Sequence, residues 1–106
     1  MNLIFAAVLA ASQPTYYEAT VQTFGCTSIE EVSKLQKIRR DKEAFQAAFS
    51  ERQMYGECVS IAKGTIIDGF VEAPDIKILR VNMQAVPPGY EAPLEDFKLR
   101  TPEGTA

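Results

Sequence analysis

Histidine is missing from all 106 residues, and with it the commonest general base and the commonest metal ligand. A Ser-His-Asp triad and a Cys–His dyad are therefore excluded. No G-x-S-x-G, phosphate-binding P-loop, dinucleotide fingerprint or H-E-x-x-H occurs either. Tryptophan is missing too, which leaves six Phe and four Tyr as the whole aromatic complement. Long apolar runs are lacking: the run at 3–11 (LIFAAVLAA) has nine residues, well short of the roughly 20 that span a bilayer, so no integral membrane span is expected. Positive charge is in deficit. Eleven Lys and Arg against 14 Asp and Glu give a formal charge of −3, whereas phosphate contacts need a concentrated basic surface, so nucleic acid is not an expected partner. The densest basic run, Lys34 to Lys42, is interrupted by Asp41 and reads as a solvated helix face.

Cysteine is scarce but paired. Cys26 and Cys58 permit one intramolecular bond, and with 31 residues between them the chain-entropy estimate is roughly 3–4 kcal/mol of stabilisation. A disulfide is the expected state. Two reduced core thiols are the alternative in a reducing compartment; a metal site would have to recruit carboxylates, and the C-x-x-C spacing of redox pairs is absent. The run at 3–11, followed by Ser12, Gln13 and Pro14, resembles a signal core with a small-residue cleavage region, although no Lys or Arg precedes it. Together with the cysteine pair it predicts a periplasmic or secreted protein. The other reading of that run is a first strand or buried helix of the mature fold.

With 46% apolar and 24% charged residues the chain fits one globular domain. The expected division is a signal-like segment at 1–12, a linker or first strand at 13–25, a single α+β domain at 26–100 and a flexible tail at 101–106. Ser28 and Glu31 form a capping-box pattern, and Ile29, Val32, Leu35 and Ile38 recur on one face, predicting an amphipathic helix. Asp41 is a second cap candidate, opening a helix with Phe45, Ala48 and Phe49 on one face that stops at Gly56. From Cys58 the period falls to about two. Strands are predicted at 58–61, at 65–72 with a bulge at Gly69, and at 76–83; a loop follows at Pro87, Pro88 and Gly89, then a short extended piece and a helical turn near Leu94 and Phe97.

The stretches FGCTSIEEVSKL, DKEAF, GECVSIAKGT, IKILRV and YEAPLEDF together resemble a group of small, uncharacterised exported bacterial proteins over about residues 24–98. That resemblance implies an α+β fold in which an N-terminal helical hairpin, tied by a disulfide, is followed by a small antiparallel SH3-like barrel of about four to five strands. It carries no catalytic, cofactor or metal residues.

The expected function is therefore a non-enzymatic binding or structural module of the cell envelope, with no cofactor and with a protein, peptide or cell-wall ligand. Tyr55, Phe70, Arg80 and Tyr90 are the candidate ligand surface, since SH3-type barrels present aromatics to extended ligands. A second expectation is a secreted inhibitor or immunity-type protein that inserts a proline-stiffened loop at 84–91 into a partner enzyme. A third is a small hydrolase drawing an acid–base pair from Glu30, Glu31, Asp41, Glu43, Glu91, Glu95 and Asp96, although acids at helix starts serve capping first. Oligomeric state is left open by the sequence.

Overall fold

The computed structural model describes residues 15–83 and 86–100, so the signal-like run at 3–11, its cleavage region, the tail at 101–106 and residues 84 and 85 of the candidate insertion loop lie outside the described residues. Two strands come first: β1 (Tyr16–Ala19) and β2 (Thr23–Cys26). Helices α1 (Ile29–Ile38) and α2 (Lys42–Met54) follow. The rest is β3 (Cys58–Ile61), β4 (Ile66–Ala73), a 3-10 turn at Pro74–Ile76, β5 (Ile78–Met83), β6 (Val86–Pro93), a second 3-10 turn at Leu94–Asp96 and β7 (Phe97–Arg100).

The helices form for local reasons. The Ser28 hydroxyl accepts from the Glu31 amide at 3.2 Å and the Asp41 carboxylate from the Ala44 amide at 3.1 Å, each satisfying an otherwise orphaned helix-start donor. Glu31 does not complete a capping box; its carboxylate pairs with Arg52 of α2 and ties the two helices together. Gly56, at φ +74, ends the second helix in the left-handed region.

All seven strands join one antiparallel sheet in the order β3-β2-β6-β5-β4-β1-β7. This corrects the expected architecture. The helices are an insertion between β2 and β3, and among the described residues the strands number seven rather than four or five and the sheet ends at β3 and β7; it is not an N-terminal hairpin leading into an SH3-like barrel. The expectation failed where pairing is non-local. β1 lies in the stretch expected as a linker or first strand and β7 follows the expected helical turn near Leu94 and Phe97; each has four residues, and β1 finds its partners at residues 66–68 and 97–100. The proline segment expected as a loop is part of β6. Between Val81↔Tyr90 and Met83↔Val86 the register jumps, and a bulge of this kind tolerates Pro87 and Pro88 in a ladder. Gly69 makes no bulge; it stays in register opposite Val81, and a Cβ there would collide with the Arg80 carbonyl oxygen.

The sheet curls sharply. Ala19 and Thr23 are separated by three residues, which reach at most about 14 Å, yet β1 and β2 stand four strand spacings apart, about 19 Å across a flat sheet. Curling wraps the inner face around Ala19, Ile61, Ile67, Leu79, Val81, Ala92 and Phe97, so that residues of both end strands share one core. The outer face of β2, β3 and the start of β5 packs against the helices through Phe24, Cys26, Val32, Leu35, Phe49, Cys58 and Ile78. β2 is consequently buried on both faces.

Cys26 and Cys58 are disulfide-bonded, side by side across β2 and β3 with Cα atoms 4.0 Å apart, and the closed loop contains both helices. Such a bond is compatible with an oxidising compartment. Among the described residues no helix is long and apolar enough to cross a membrane.

Candidate functional site

Where β2 begins and β3 ends, the helix-facing side of the sheet opens into a cleft of about 290 Å³. Its floor is Phe24 of β2 and Ser60 of β3, directly opposite one another in register. One wall is α2, which contributes Phe45, Gln46, Phe49 and Gln53 at helical spacing. The other wall is Arg39, from the link between the helices, with Gln22 from the corner between β1 and β2 and Thr23 from the start of β2.

The three Phe rings pack on one another: Phe24 lies 5.5 Å from Phe45 and 6.0 Å from Phe49, and Phe45 stacks on Phe49 at 5.6 Å. Phe24 is 2% exposed and Phe49 8%, so these two rings offer little face to a ligand, whereas Phe45 is only partly buried. Arg39 sits over the Phe24 ring, 5.5 Å from its centroid, a favourable place for a cation. Its charge is met by Asp96, whose Oδ2 accepts from Arg39 Nη1 at 2.6 Å and from the Thr23 hydroxyl at 2.7 Å. Asp96 is almost fully buried, and these two charge-assisted bonds offset the cost of removing its carboxylate from water. Arg39 also donates to Gln36 Oε1 at 2.9 Å, and Gln22 Nε2 donates to Ser60 Oγ at 2.8 Å. What the cleft presents is a neutralised guanidinium, amides and hydroxyls. That set suits recognition of an uncharged polar group by hydrogen bonds.

Comparison with family models, curated proteins and solved structures finds no match to this chain. Functional assignment rests on the geometry.

The residues singled out from the sequence go to three places. Phe70 and Arg80 are cross-strand neighbours on β4 and β5, and Phe70 is exposed. Tyr90 pairs with Val81 on the opposite face of the sheet and is buried, its Cβ beside Gly25. Tyr55 is exposed at the C-terminal end of α2. No single surface collects all four.

Arg80 belongs to a register row that runs Phe70, Arg80, Glu91, Cys26, Cys58 across five strands. Glu91 in that row is buried beside the disulfide. One of its oxygens accepts from Arg80, and the other, Oε1, is buried with no hydrogen-bond partner. Burial pushes the Glu91 carboxyl above the usual carboxylate range; the Arg80 hydrogen bond opposes that push, and the neighbouring Glu72 carboxylate adds to it.

Of the other candidate carboxylates, Glu43 is exposed on the first turn of α2, and the rest have structural tasks. Asp41 caps α2, Glu30 lies 3.6 Å from Lys34, and Glu95 accepts from Gln36 at 2.9 Å. The Arg52 hydrogen bond holds the Glu31 carboxyl below its ordinary value. Val86 through Glu91 of the expected insertion loop lie in β6. A second recess of about 340 Å³ lies between α1 and the turn at Pro74–Ile76, with Lys77 and Glu95 on its rim.

Sequence reasoning missed Gln22, Gln46, Gln53 and Ser60 because amides and hydroxyls on a helix or strand surface carry no pattern of their own. Arg39 was read into a solvated basic face. Its partner Asp96 is 57 residues away, and nothing local links the two.

Proposed function

We propose that this chain is an exported, non-catalytic binding module whose ligand occupies the cleft between α2 and the β2–β3 end of the sheet. The observation that carries this reading is the cleft itself: half open, lined by uncharged amides and hydroxyls, and fixed in shape by the aromatic cluster, by the Arg39–Asp96 pair and by the disulfide two register positions from Ser60. A preformed concavity with a few convergent polar groups is the usual form of a binding site. The buried disulfide supports export, because such bonds persist in oxidising compartments.

The test is amide chemical-shift mapping on the disulfide-intact protein, titrated with soluble cell-wall fragments, linear peptides and small amides. Shifts centred on Gln46, Gln53 and Ser60, weakened about tenfold by joint Gln46→Glu and Gln53→Glu substitution, are the expected result. Shifts centred on Phe70 and Arg80, or none with any of these probes, overturn the assignment. Export is tested separately by the intact mass of the natively produced protein: loss of the first ten or so residues and a gain of about two mass units on reduction are expected.

A further inference from the structure

Resting on that reading of the cleft, we infer that its occupant is an extended peptide that joins the sheet as a new strand alongside β3. The ladder between β2 and β3 fixes which main-chain groups are available. The Thr27 amide donates to the Glu57 carbonyl at 2.8 Å, in continuous register with Gly25↔Val59 and Thr23↔Ile61. In an antiparallel pair such bonded positions alternate with non-bonded ones. Val59 and Ile61 therefore turn their N–H and C=O groups toward β2, as Glu57 turns its carbonyl while its N–H donates to the Arg52 carbonyl at 2.9 Å, and Cys58 and Ser60 turn theirs outward along the end of the sheet. Among the described residues no strand pairs with β3 on that side.

The two ends of the sheet are not alike. β7 reads FKLR, and its Lys98 and Arg100 are the charged guards that keep an edge from pairing with other chains. β3 reads CVSI and carries neither charge nor proline. The unguarded end is the one beside the cleft. A strand added there places alternate side chains on the helix-facing side, next to Ser60, where α2 and the amides of Gln46 and Gln53 flank them. This is strand addition: main-chain bonds supply affinity and a side recess supplies selectivity.

The lining selects the side chain. Arg39 is already neutralised by Asp96, so a charged group gains no free counter-ion, and a volume just below the ~300–1,000 Å³ of drug-sized sites suits a short uncharged side chain such as an amide, a hydroxyl or a small aliphatic.

The experiment pans the disulfide-intact protein against a displayed library of linear peptides of about eight residues. Selected sequences are then measured as synthetic peptides by fluorescence anisotropy and amide chemical-shift mapping. Shifts at Cys58, Ser60, Gln46 and Gln53 are expected. N-methylation of alternate peptide amides should weaken binding about tenfold or more, while N-methylation of the intervening amides leaves it unchanged. Ser60→Pro, which removes the outward N–H together with the hydroxyl that accepts from Gln22, should weaken binding to a similar degree; the N-methyl series alters the ligand alone and separates the main-chain bond from the lost hydroxyl even if that variant folds poorly. Equal tolerance of N-methylation at every position overturns strand addition and leaves the cleft reading standing. Shifts away from the cleft overturn both. Failure to select any peptide overturns the peptide; if the protein then dimerises and Ser60→Pro abolishes the dimer, a second copy is the partner of β3.

Discussion

Glu91 and Glu31 show how two carboxylates of one chain come to oppose each other in their effect on stability. Glu91 sits buried beside the disulfide with Oε1 unpartnered, and its folded pKa is raised above the ordinary 4.5 by desolvation ahead of the Arg80 hydrogen bond. Its folded form binds the proton more tightly than the unfolded chain. The stability it contributes is complete below pH 4.5 and is lost as pH rises through the raised value. Glu31 runs the other way: the Arg52 hydrogen bond lowers its pKa, so its contribution is complete above pH 4.5 and is lost as pH falls through the depressed value. Glu91→Gln should therefore remove a decline in urea midpoint from pH 4.5 upward, and Glu31→Gln a decline below it. Midpoints across a pH series, with both variants beside the parent, check this; an unchanged slope above pH 4.5 in Glu91→Gln refutes the assignment. The motive for either pairing was invisible in the sequence, where Glu91 stood as one acid among several and Glu31 as half of a capping box.

Among the elements, helices were legible and strands only partly so. α1 and α2 announce themselves through Ser28, Asp41 and apolar residues three and four apart, because every one of those signals lies within a turn or two of its partner. Ser28→Ala should cost about 1 kcal/mol and Leu35→Ala, at a fully buried site beneath α1, about 2–5 kcal/mol in denaturant unfolding. β6 was misread because its prolines signal a loop wherever a ladder runs without a bulge, and the bulge depends on β5. Gly69 was misread for a related reason: glycine marks a bulge or a close approach equally well, and only the Arg80 carbonyl distinguishes them. Gly69→Ala should cost about 1–3 kcal/mol, since the obstacle is main chain and a rotamer change cannot relieve it. A cost near zero in the unfolding transition would show that the two strands part easily. The cleft needed pieces from α2, β2, β3 and the link between the helices, so no window of sequence contained it.

For the whole molecule, the disulfide was legible from two cysteines alone, whereas the sheet order was not, because it is set by pairings between segments far apart in the chain. Replacing Cys26 and Cys58 together by Ala should lower stability by roughly 3–4 kcal/mol in urea unfolding, the loop-closure entropy restored to the unfolded chain, with any loss of packing around these buried positions adding to it. An unchanged midpoint would mean that β2 and β3 hold together without the bond. The adjacency of β1 and β7 has a temporal consequence. A chain that emerges N-terminus first presents Tyr16–Ala19 before any of its partners exist, and those residues must wait for Ile66–Asp68 and then for Phe97–Arg100. Long-range closure of this kind is slow. The sheet thus reaches its described order only after Phe97–Arg100 is available, so that until then the chain stays pliant, and the step that sets it is the arrival of those four residues.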